Sequence, residues 1–268
     1  GDENFPVGSF LIARELRPHV AVYYAFARAI DDIADNPALS AAEKLERLDG
    51  MDHALSGLPG YQGPEYAKAT AMRASLLETG AHFEHARDLI VAFKQDAVKN
   101  RYNNWAELID YCNHSAAPVG RYLLDLHGEH EDDYVYSDAL CNALHVINHP
   151  QDCADDYRNL DRVYLPQDWM QAAGVDVTAL KTGEASPGLR TVINQGLDGT
   201  RELMKEAGKL PRNIYNRRLC LESSIIIRVA HNLIDELARR DPLKQKVKLS
   251  KLGYGLCAIS GTLKGLLS

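Results

Sequence analysis

Apolar residues recur at helical spacing in one segment after another, and runs that alternate apolar and polar residues are not found. A strongly apolar stretch at residues 20–27 follows Pro18, and proline is tolerated in the first turn of a helix. This helix should end near Pro37. Ser40 and Glu43 then form a capping box that opens the next helix. The pattern predicts an all-α protein.

The rest of the chain continues this helical pattern. Further helices are expected at residues 65–78, 82–99, 103–112, 116–127, 137–148, 186–209 and 215–239, with a last apolar stripe at 254–267. Ser9 should cap a short helix at residues 10–15, and Pro150 should start a new turn or kink the preceding helix. Residues 161–183 contain short turns. No linker interrupts the chain, so residues 1–268 are expected to form one all-α domain.

Composition changes this picture little. The net charge of −7 and the lack of a basic stripe with interleaved aromatic residues argue against a nucleic-acid partner. No segment reaches the ~18–20 apolar residues of a membrane span, and no signal-peptide pattern is found. The five cysteines are scattered and lack a C-x-x-C pair, which favours buried, reduced thiols. The protein is therefore expected to be cytoplasmic, with peripheral membrane association left open.

Three carboxylates close the first apolar run: Asp31, Asp32 and Asp35. On a helix, Asp31 and Asp35 lie one turn apart on the same face and repel each other. A hard cation relieves that repulsion, and Mg²⁺ held by one or two carboxylates keeps positions for water and substrate phosphate. Acidic helix faces are commonplace, so this motif alone is only moderately specific.

A second acidic motif lies more than a hundred residues later in the sequence. Asp152 and Asp156 are again one helical turn apart, with Asp155 beside them. Two acidic turns that each end an apolar helix could face each other across a cavity and hold several Mg²⁺ ions against one diphosphate. Such a double site suits ionisation of a prenyl diphosphate, because the cations neutralise the leaving group.

Cationic and aromatic residues accompany the acidic motifs. Arg28 shares a helix face with Asp31, where its planar fork could grip a diphosphate oxygen or form a salt bridge to the aspartates. Tyr24 lies one turn before Arg28, and Tyr111 precedes a segment rich in small residues. A tyrosine beside a cavity can relay a proton or offer a π face to a cation, although a lone tyrosine is more often a core residue.

Other kinds of metal site have less support. The Glu-x-x-His motif of a di-iron bundle and the His-Glu-x-x-His motif of a zinc hydrolase do not occur. His82 with His85, and His127 with His130, are spaced three apart, but both pairs lie in charged segments that we expect to be exposed, so metal ligation is not expected there. A non-enzymatic helical scaffold with solvated acidic faces is the remaining alternative, and it does not predict two aspartate pairs at the ends of apolar helices.

These segments resemble the squalene/phytoene synthase family, the head-to-head prenyl transferases of the all-α isoprenoid synthase fold. The similarity covers nearly the whole chain, and it is carried by residues 24–35, Tyr111-Cys112 with Val119-Gly120, Asn148, residues 152–156 and residues 162–166. Within the family the chain is most similar to the hydroxysqualene synthase branch, through the opening at residues 3–7, the stretch at 96–102 before Trp105, and residues 115–120.

The resemblance implies helices around a central cavity, with the two aspartate-rich motifs facing each other. It implies that presqualene diphosphate loses diphosphate with the help of Mg²⁺, and that water quenches the rearranged cation to give hydroxysqualene. Squalene synthases quench with hydride from NADPH, which is not expected here, although the absence of a dinucleotide motif discriminates weakly. The alternatives are condensation of two farnesyl diphosphates to presqualene diphosphate, squalene or dehydrosqualene, synthesis of phytoene, and a non-catalytic helical partner.

The resemblance also assigns roles to individual residues. Asp31, Asp35, Asp152 and Asp156 would hold Mg²⁺, supported by Asp32 and Asp155, with Asn148 assisting at the second motif. Arg28 and Arg162 would face the diphosphate, Ser9 and Phe10 would contact substrate, and Tyr24, Tyr111 and Tyr164 would line the site.

Three departures from the family pattern stand out. His145 replaces a common glutamine, and His149-Pro150 replaces an apolar pair. Gln151 replaces a common arginine, which removes one diphosphate-facing charge. This loss fits an enzyme that handles only one diphosphate at a time.

Overall fold

The computed structural model of the protein describes residues 12–249 and Cys257. Its α-helices are α1 (Arg17–Ala34), α2 (Ala41–Ser56), α3 (Ala67–Thr79), α4 (Glu84–Asp96), α5 (Trp105–Ser115), α6 (Ala117–Leu126), α7 (Tyr134–Leu160), α8 (Gln167–Ala172), α9 (Pro187–Ala207), α10 (Leu210–Asn213) and α11 (Arg217–Arg239). Short 3₁₀ turns lie at Pro64–Tyr66, Glu131–Asp133 and Val177–Lys181. Within the described part, β structure is limited to a bridge between Arg101 and Val163. The predicted all-α class is confirmed.

Local signals in the sequence set several helix starts. The Ser40 side chain accepts a hydrogen bond from the Glu43 N–H and Glu43 reaches back, completing the predicted capping box. Asn104 caps α5, and Ser186 caps α9. The predicted short helix at residues 10–15 lies partly outside the described residues, and its described part from Ile12 onward forms turns instead of a helix.

Helix α7 differs from the prediction. It continues through Pro150 to Leu160, so the expected end near residue 148 was wrong. Proline has no N–H to offer the carbonyl one turn earlier, which normally interrupts a helix. Here Ile147, Pro150 and Cys153 are all buried, so both sides of the proline pack into the same core and hold the helix together. Residues 145–156 consequently belong to one helix.

The helices bury three apolar clusters. One joins α1 to α2, α3, α4 and α6 around Phe26, Ile30 and Leu55, and a second joins α7, α9 and α11 around Ile147 and Ile193. Fully burying one such side chain contributes about 1.5–3 kcal/mol. A third, small cluster contains Tyr102, Cys112, Tyr111, Val146 and Tyr164. This third cluster is largely aromatic and lies where α4, α5 and α7 meet, next to the acidic ends of α1 and α7.

Four further sequence expectations can be compared with the structure. All five cysteines are free, and four of them are buried, as expected for reduced thiols. In the described ranges, no helix combines the length and the apolar character needed to cross a membrane. The expectation that the His82 and His85 pair is exposed was wrong for His85, whose side chain is 4% exposed because the first turn of α4 packs against α6. The apolar stripe expected at residues 254–267 lies outside the described residues except for Cys257.

Candidate active site

The first acidic motif lies at the carboxyl end of α1. Phe26, Ile30 and Ala34 bury one face of this helix, which leaves the face of Asp31 turned away from the apolar cluster. Asp35 follows the last helical residue, and its N–H still donates to the Asp31 carbonyl at 2.9 Å. The two aspartates are therefore one turn apart, as the spacing predicts.

Arg28 lies against this motif. Its guanidinium contacts an Asp31 carboxylate oxygen at 2.5 Å and an Asp32 oxygen at 3.4 Å. The sequence left open a salt bridge or a diphosphate contact for Arg28, and this geometry supplies the salt bridge. Because the Arg28 side chain remains 54% exposed, the diphosphate role stays a prediction.

The second acidic motif lies on α7. The carboxylates of Asp152 and Asp156 are one turn apart and partly buried, whereas Asp155 is exposed and pairs with Arg158 at 2.8 Å. Lys246, which follows α11 in the chain, places its ammonium 3.7 Å from an Asp152 oxygen. Sequence reasoning missed Lys246, because nothing in its local pattern indicates that it returns to α7.

Burial raises the pKa values of one carboxylate in the first motif, Asp31, and of two in the second, Asp152 and Asp156. Burial, followed by repulsion from Asp35, raises the pKa of Asp31 to about 6. Burial, followed by repulsion from Asp152, raises the pKa of Asp156 to about 7, and Asp35 adds to that rise. The influence of Asp35 on Asp156 means that the two motifs are close enough to interact electrostatically. A divalent cation would relieve this repulsion.

Arg162 connects the two motifs to α4. It is 7% exposed, and it donates to an Asp35 carboxylate oxygen and to the Asp96 carbonyl, both at 3.1 Å. Its charge also opposes the rise in the pKa of Asp156. The chain reaches this position through Asp161, whose positive φ of 51° ends α7 and turns the backbone. Contact of Arg162 with a diphosphate stays a prediction.

Asp96 is a site residue that sequence reasoning missed. It ends α4, and its side chain is 2% exposed. The Tyr111 hydroxyl donates to one Asp96 oxygen at 2.7 Å, and the Tyr164 hydroxyl is 3.5 Å from the other. Burial raises the pKa of Asp96 to about 6, although Arg162 opposes the rise. The only sequence signal was its place at the start of the 96–102 stretch that carried the resemblance.

Two histidines, the buried His149 and the partly buried His145, complete the aromatic cluster. His149 stacks on Tyr164 with ring centroids 4.1 Å apart. The His145 ring meets the His149 ring edge-on, with centroids 4.6 Å apart. Burial lowers the pKa of His145 to about 4 and lowers that of His149 well below its usual value, so both imidazoles are neutral. Residues 145, 149, 152 and 156 follow helical spacing along one stripe of α7. Two of the departures noted in the sequence, His145 and His149, therefore lie on the same face as the second motif.

The other residues predicted for the site make fewer contacts with the acidic motifs. Tyr24 is 38% exposed, while its neighbour Tyr23 is buried and stacks on Tyr122. Asn148 is half-buried on α7. Gln151 is buried and donates to the Val247 carbonyl at 2.5 Å, so this position holds the segment that carries Lys246. Ser9 and Phe10 lie outside the described residues.

Known proteins resemble this chain in sequence and in fold. A family model described as squalene/phytoene synthase matches residues 1–253. The chain belongs to the squalene/phytoene synthase family. The family resemblance inferred from the sequence is thereby confirmed, and the protein is an enzyme of the head-to-head prenyl transferase type.

Two relatives within the squalene/phytoene synthase family are named hydroxysqualene synthase. The protein of Zymomonas mobilis is 40% identical over 267 residues, which cover 98% of this chain and 89% of the relative. The protein of Rhodopseudomonas palustris is 41% identical over 253 residues, which cover 94% and 85%. Among solved structures, squalene synthase HpnC from Alicyclobacillus acidocaldarius matches with a TM-score of 0.74 at 28% identity, over 87% of each chain.

Proposed function

We propose that the protein converts presqualene diphosphate to hydroxysqualene and diphosphate in an Mg²⁺-dependent reaction. The observation that carries this choice of product is the identity of about 40% to two proteins named hydroxysqualene synthase over nearly the whole chain. The site described above supports the diphosphate chemistry, because two carboxylate pairs and a buried arginine meet beside a cluster of aromatic rings.

The donor set of the acidic motifs fits Mg²⁺. Asp31, Asp35, Asp152 and Asp156 offer only oxygen ligands, which this cation prefers. Their mutual repulsion raises the pKa values of Asp31 and Asp156, so bound positive charge would be favourable there. These four residues would hold the ions, which when bound supply the positive charge that makes diphosphate a better leaving group.

The protein's own cations would bind and orient the diphosphate. Arg28 and Lys246 are each about half exposed beside one acidic motif, so each can turn toward a phosphate oxygen. Gln151 carries no charge, and Lys246 supplies a positive charge at the second motif instead. Arg162 is fixed by Asp35 and Asp96, and it would position the Asp35 carboxylate.

The aromatic cluster would protect the carbocation and dispose of the proton that water gives up. The rings of Tyr164 and His149 are neutral and offer π faces to positive charge. When water adds to the cation, its oxygen forms the new C–O bond and one proton leaves. The hydroxyls of Tyr164 and Tyr111 lie 3.3 Å apart and lead to Asp96, whose pKa near 6 suits it to accept that proton.

The second candidate is condensation of two farnesyl diphosphates to presqualene diphosphate, squalene or dehydrosqualene. It is favoured by the match to a solved structure titled squalene synthase. This reaction is the less favoured choice, because the relatives at about 40% identity are named hydroxysqualene synthase.

Incubation of purified protein with Mg²⁺ and each substrate separates these candidates. Presqualene diphosphate without NADPH should yield hydroxysqualene, and in isotope-labelled water the label should appear in the hydroxyl group by mass spectrometry. Consumption of farnesyl diphosphate would overturn the narrow assignment but keep the family. The Asp31→Ala protein serves as the inactive control, since it lacks one of the carboxylates assigned to the ions.

A further inference from the structure

A second group of ligating side chains lies at the opposite end of α4 from Asp96, roughly 16 Å away along the helix axis at ~1.5 Å per residue. His82 precedes α4, His85 lies in its first turn, and Asp125 lies in the last turn of α6. The His85 Nε2 atom is 2.8 Å and the His82 Nδ1 atom 2.9 Å from the same oxygen, Oδ2 of Asp125. Two imidazoles from one helix start thus converge on one carboxylate from another helix.

Neighbouring residues hold these three side chains in place. The Tyr134 hydroxyl donates to Oδ1 of Asp125, which leaves Oδ2 to face both imidazoles. Glu131 lies 3.6 Å from His82 Nε2, on the other side of that ring. In known metal sites, a histidine ligand usually donates its second ring N–H to a carboxylate, and a carboxylate ligand usually accepts a further hydrogen bond. These contacts orient the ligands.

Hydrogen-bond donors from three residues surround the Asp125 carboxylate. Burial raises its pKa, but hydrogen bonds from the His85 side chain, the His82 backbone and Tyr134 outweigh burial and lower the pKa to about 2. These donors hold the Asp125 carboxylate in a fixed orientation.

The spacing of the donor atoms is close to what a small divalent cation requires. One ligand atom from each of the three residues lies within 4.8 Å of the others. Zinc bonds of 2.0–2.1 Å in a tetrahedron place donors about 3.3 Å apart, so modest side-chain shifts suffice. The His82 side chain is half exposed and can make that shift.

Solvent reaches the cluster from one side. His82 lines an open surface hollow of about 480 Å³ together with Arg73, Phe83 and Arg87. An ion held by three protein ligands would have its fourth position toward this hollow, where a water molecule can complete the coordination.

We propose that His82, His85 and Asp125 bind one Zn²⁺ ion that joins the start of α4 to the end of α6. Two imidazole nitrogens and one carboxylate oxygen suit zinc, whereas Mg²⁺ prefers oxygen ligands throughout. Zn²⁺ displaces the ring protons that His82 and His85 direct at Asp125: the proton of His82 moves to Nε2, which then donates to Glu131, and the proton of His85 moves to Nδ1. This site is separate from the acidic motifs and does not depend on the proposed reaction.

Calorimetric titration of the tag-free full-length protein with Zn²⁺, in excess Mg²⁺ to occupy the acidic motifs, tests the site. The wild-type protein should bind one Zn²⁺ ion, and Zn²⁺ should raise its melting temperature. His82→Ala should weaken binding at least about tenfold and remove the thermal shift. Because His82 is half exposed, this variant should fold normally, which circular dichroism checks.

Matched variants distinguish this site from other zinc binding. His130→Ala removes a nearby histidine that is outside the cluster and should leave zinc affinity unchanged. Asp152→Asn, at the second acidic motif, should also leave it unchanged. The Co²⁺ complex of the wild-type protein should show the visible absorption of a tetrahedral site, and His82→Ala should lose it. Absence of stoichiometric binding by the wild-type protein, or equal affinity in His82→Ala, would show that the cluster is only a hydrogen-bonded network.

Discussion

At the scale of single residues, the site contains carboxylates whose ionised form is disfavoured by burial and by neighbouring negative charge. Asp31 and Asp156 have pKa values near 6 and near 7, because each is partly buried and faces another aspartate. A structural protein gains nothing from such an arrangement, whereas a site that gathers cations around a diphosphate needs it. Perturbed carboxylates that cluster in this way are typical of functional sites.

Neighbouring aspartates of the second motif should differ sharply in their contribution. Asp156→Ala should lower the turnover rate about 100-fold or more, since it removes a carboxylate assigned to the cations. Asp155→Ala, which removes an exposed carboxylate paired with Arg158, should cause a much smaller loss. Steady-state kinetics of both variants with presqualene diphosphate measure the difference. Near-normal activity of Asp156→Ala would refute the assignment of the second motif.

The raised pKa values also predict how Mg²⁺ affects stability. Aspartates in the unfolded chain titrate near ~3.9, whereas Asp31 and Asp156 titrate near 6 and near 7 in the folded protein. Between these values the folded state binds more protons, so without metal the free energy of unfolding should fall as the pH rises through this interval. Mg²⁺ needs ionised ligands, so its stabilising effect should grow over the same interval.

Thermal unfolding with and without Mg²⁺, at about pH 5 and about pH 8, measures this linkage. The melting temperature should rise with Mg²⁺ mainly at the higher pH. An equal shift at both values would contradict the coupling between these carboxylates and the metal.

At the scale of elements, helix ends position the chemistry. The acidic motifs occupy the ends of α1 and α7, Asp96 ends α4, and Tyr111 lies on α5. Each helix is anchored by buried apolar residues on one face, so a side chain at its end is held at a fixed position relative to the neighbouring helices. Unbroken passage of α7 through Pro150 is what aligns His145 and His149 with the second motif.

The cap of α5 offers a direct test of one such element. The Asn104 side chain accepts a hydrogen bond from the Glu107 N–H at 2.9 Å. Asn104→Ala should lower the free energy of unfolding by about 1 kcal/mol, measured by urea denaturation. Asn103→Ala is the matched control, because Asn103 is also exposed but does not cap the helix, and it should have little effect. Equal losses in both variants would mean that the cap does not stabilise α5.

The segment after α11 provides a second test at this scale. Gln151 holds this segment against α7 and so places Lys246 beside Asp152. Lys246→Ala should raise the KM for presqualene diphosphate about tenfold, because one charge-assisted contact with the diphosphate is lost. Lys244→Ala removes a nearby lysine that pairs with Glu184, and its KM should not change. An unaltered KM for Lys246→Ala would exclude the lysine from diphosphate binding.

At the scale of the whole molecule, buried charges join helices that are distant in the sequence. Arg162 links the end of α1, through Asp35, to the end of α4, through Asp96. Tyr111 and Tyr164 add hydrogen bonds to the same aspartate. Removing one partner from such a network leaves the others charged and poorly solvated.

Arg162→Met should therefore destabilise the protein by about 3–5 kcal/mol in urea denaturation, because Asp96 loses its compensating charge. Arg158→Met, at an exposed pair on α7, should stay within about 0.5 kcal/mol of the wild type. A small effect of Arg162→Met would indicate that Asp96 is protonated and needs no cation.

Local pattern was enough to predict most of the helices and to single out the two acidic motifs. Capping residues, helical periodicity and the spacing of Asp31–Asp35 and Asp152–Asp156 act over one or two turns, and the structure has them where they are expected. The family followed from the same motifs. Pro150 misled the prediction, because the core on both sides of it outweighs the local cost of proline.

Tertiary structure alone decided which residues surround those motifs. The contacts of Asp96 with Arg162, of Gln151 with Val247 and of His85 with Asp125 join residues at least forty positions apart. Sequence spacing carries no information about such pairs, since their meeting depends on how whole helices pack. The sequence by itself determined an all-α fold with two carboxylate pairs. Packing brought those pairs close enough to interact electrostatically, lowered the pKa values of His145 and His149, and assembled the second cluster at the start of α4.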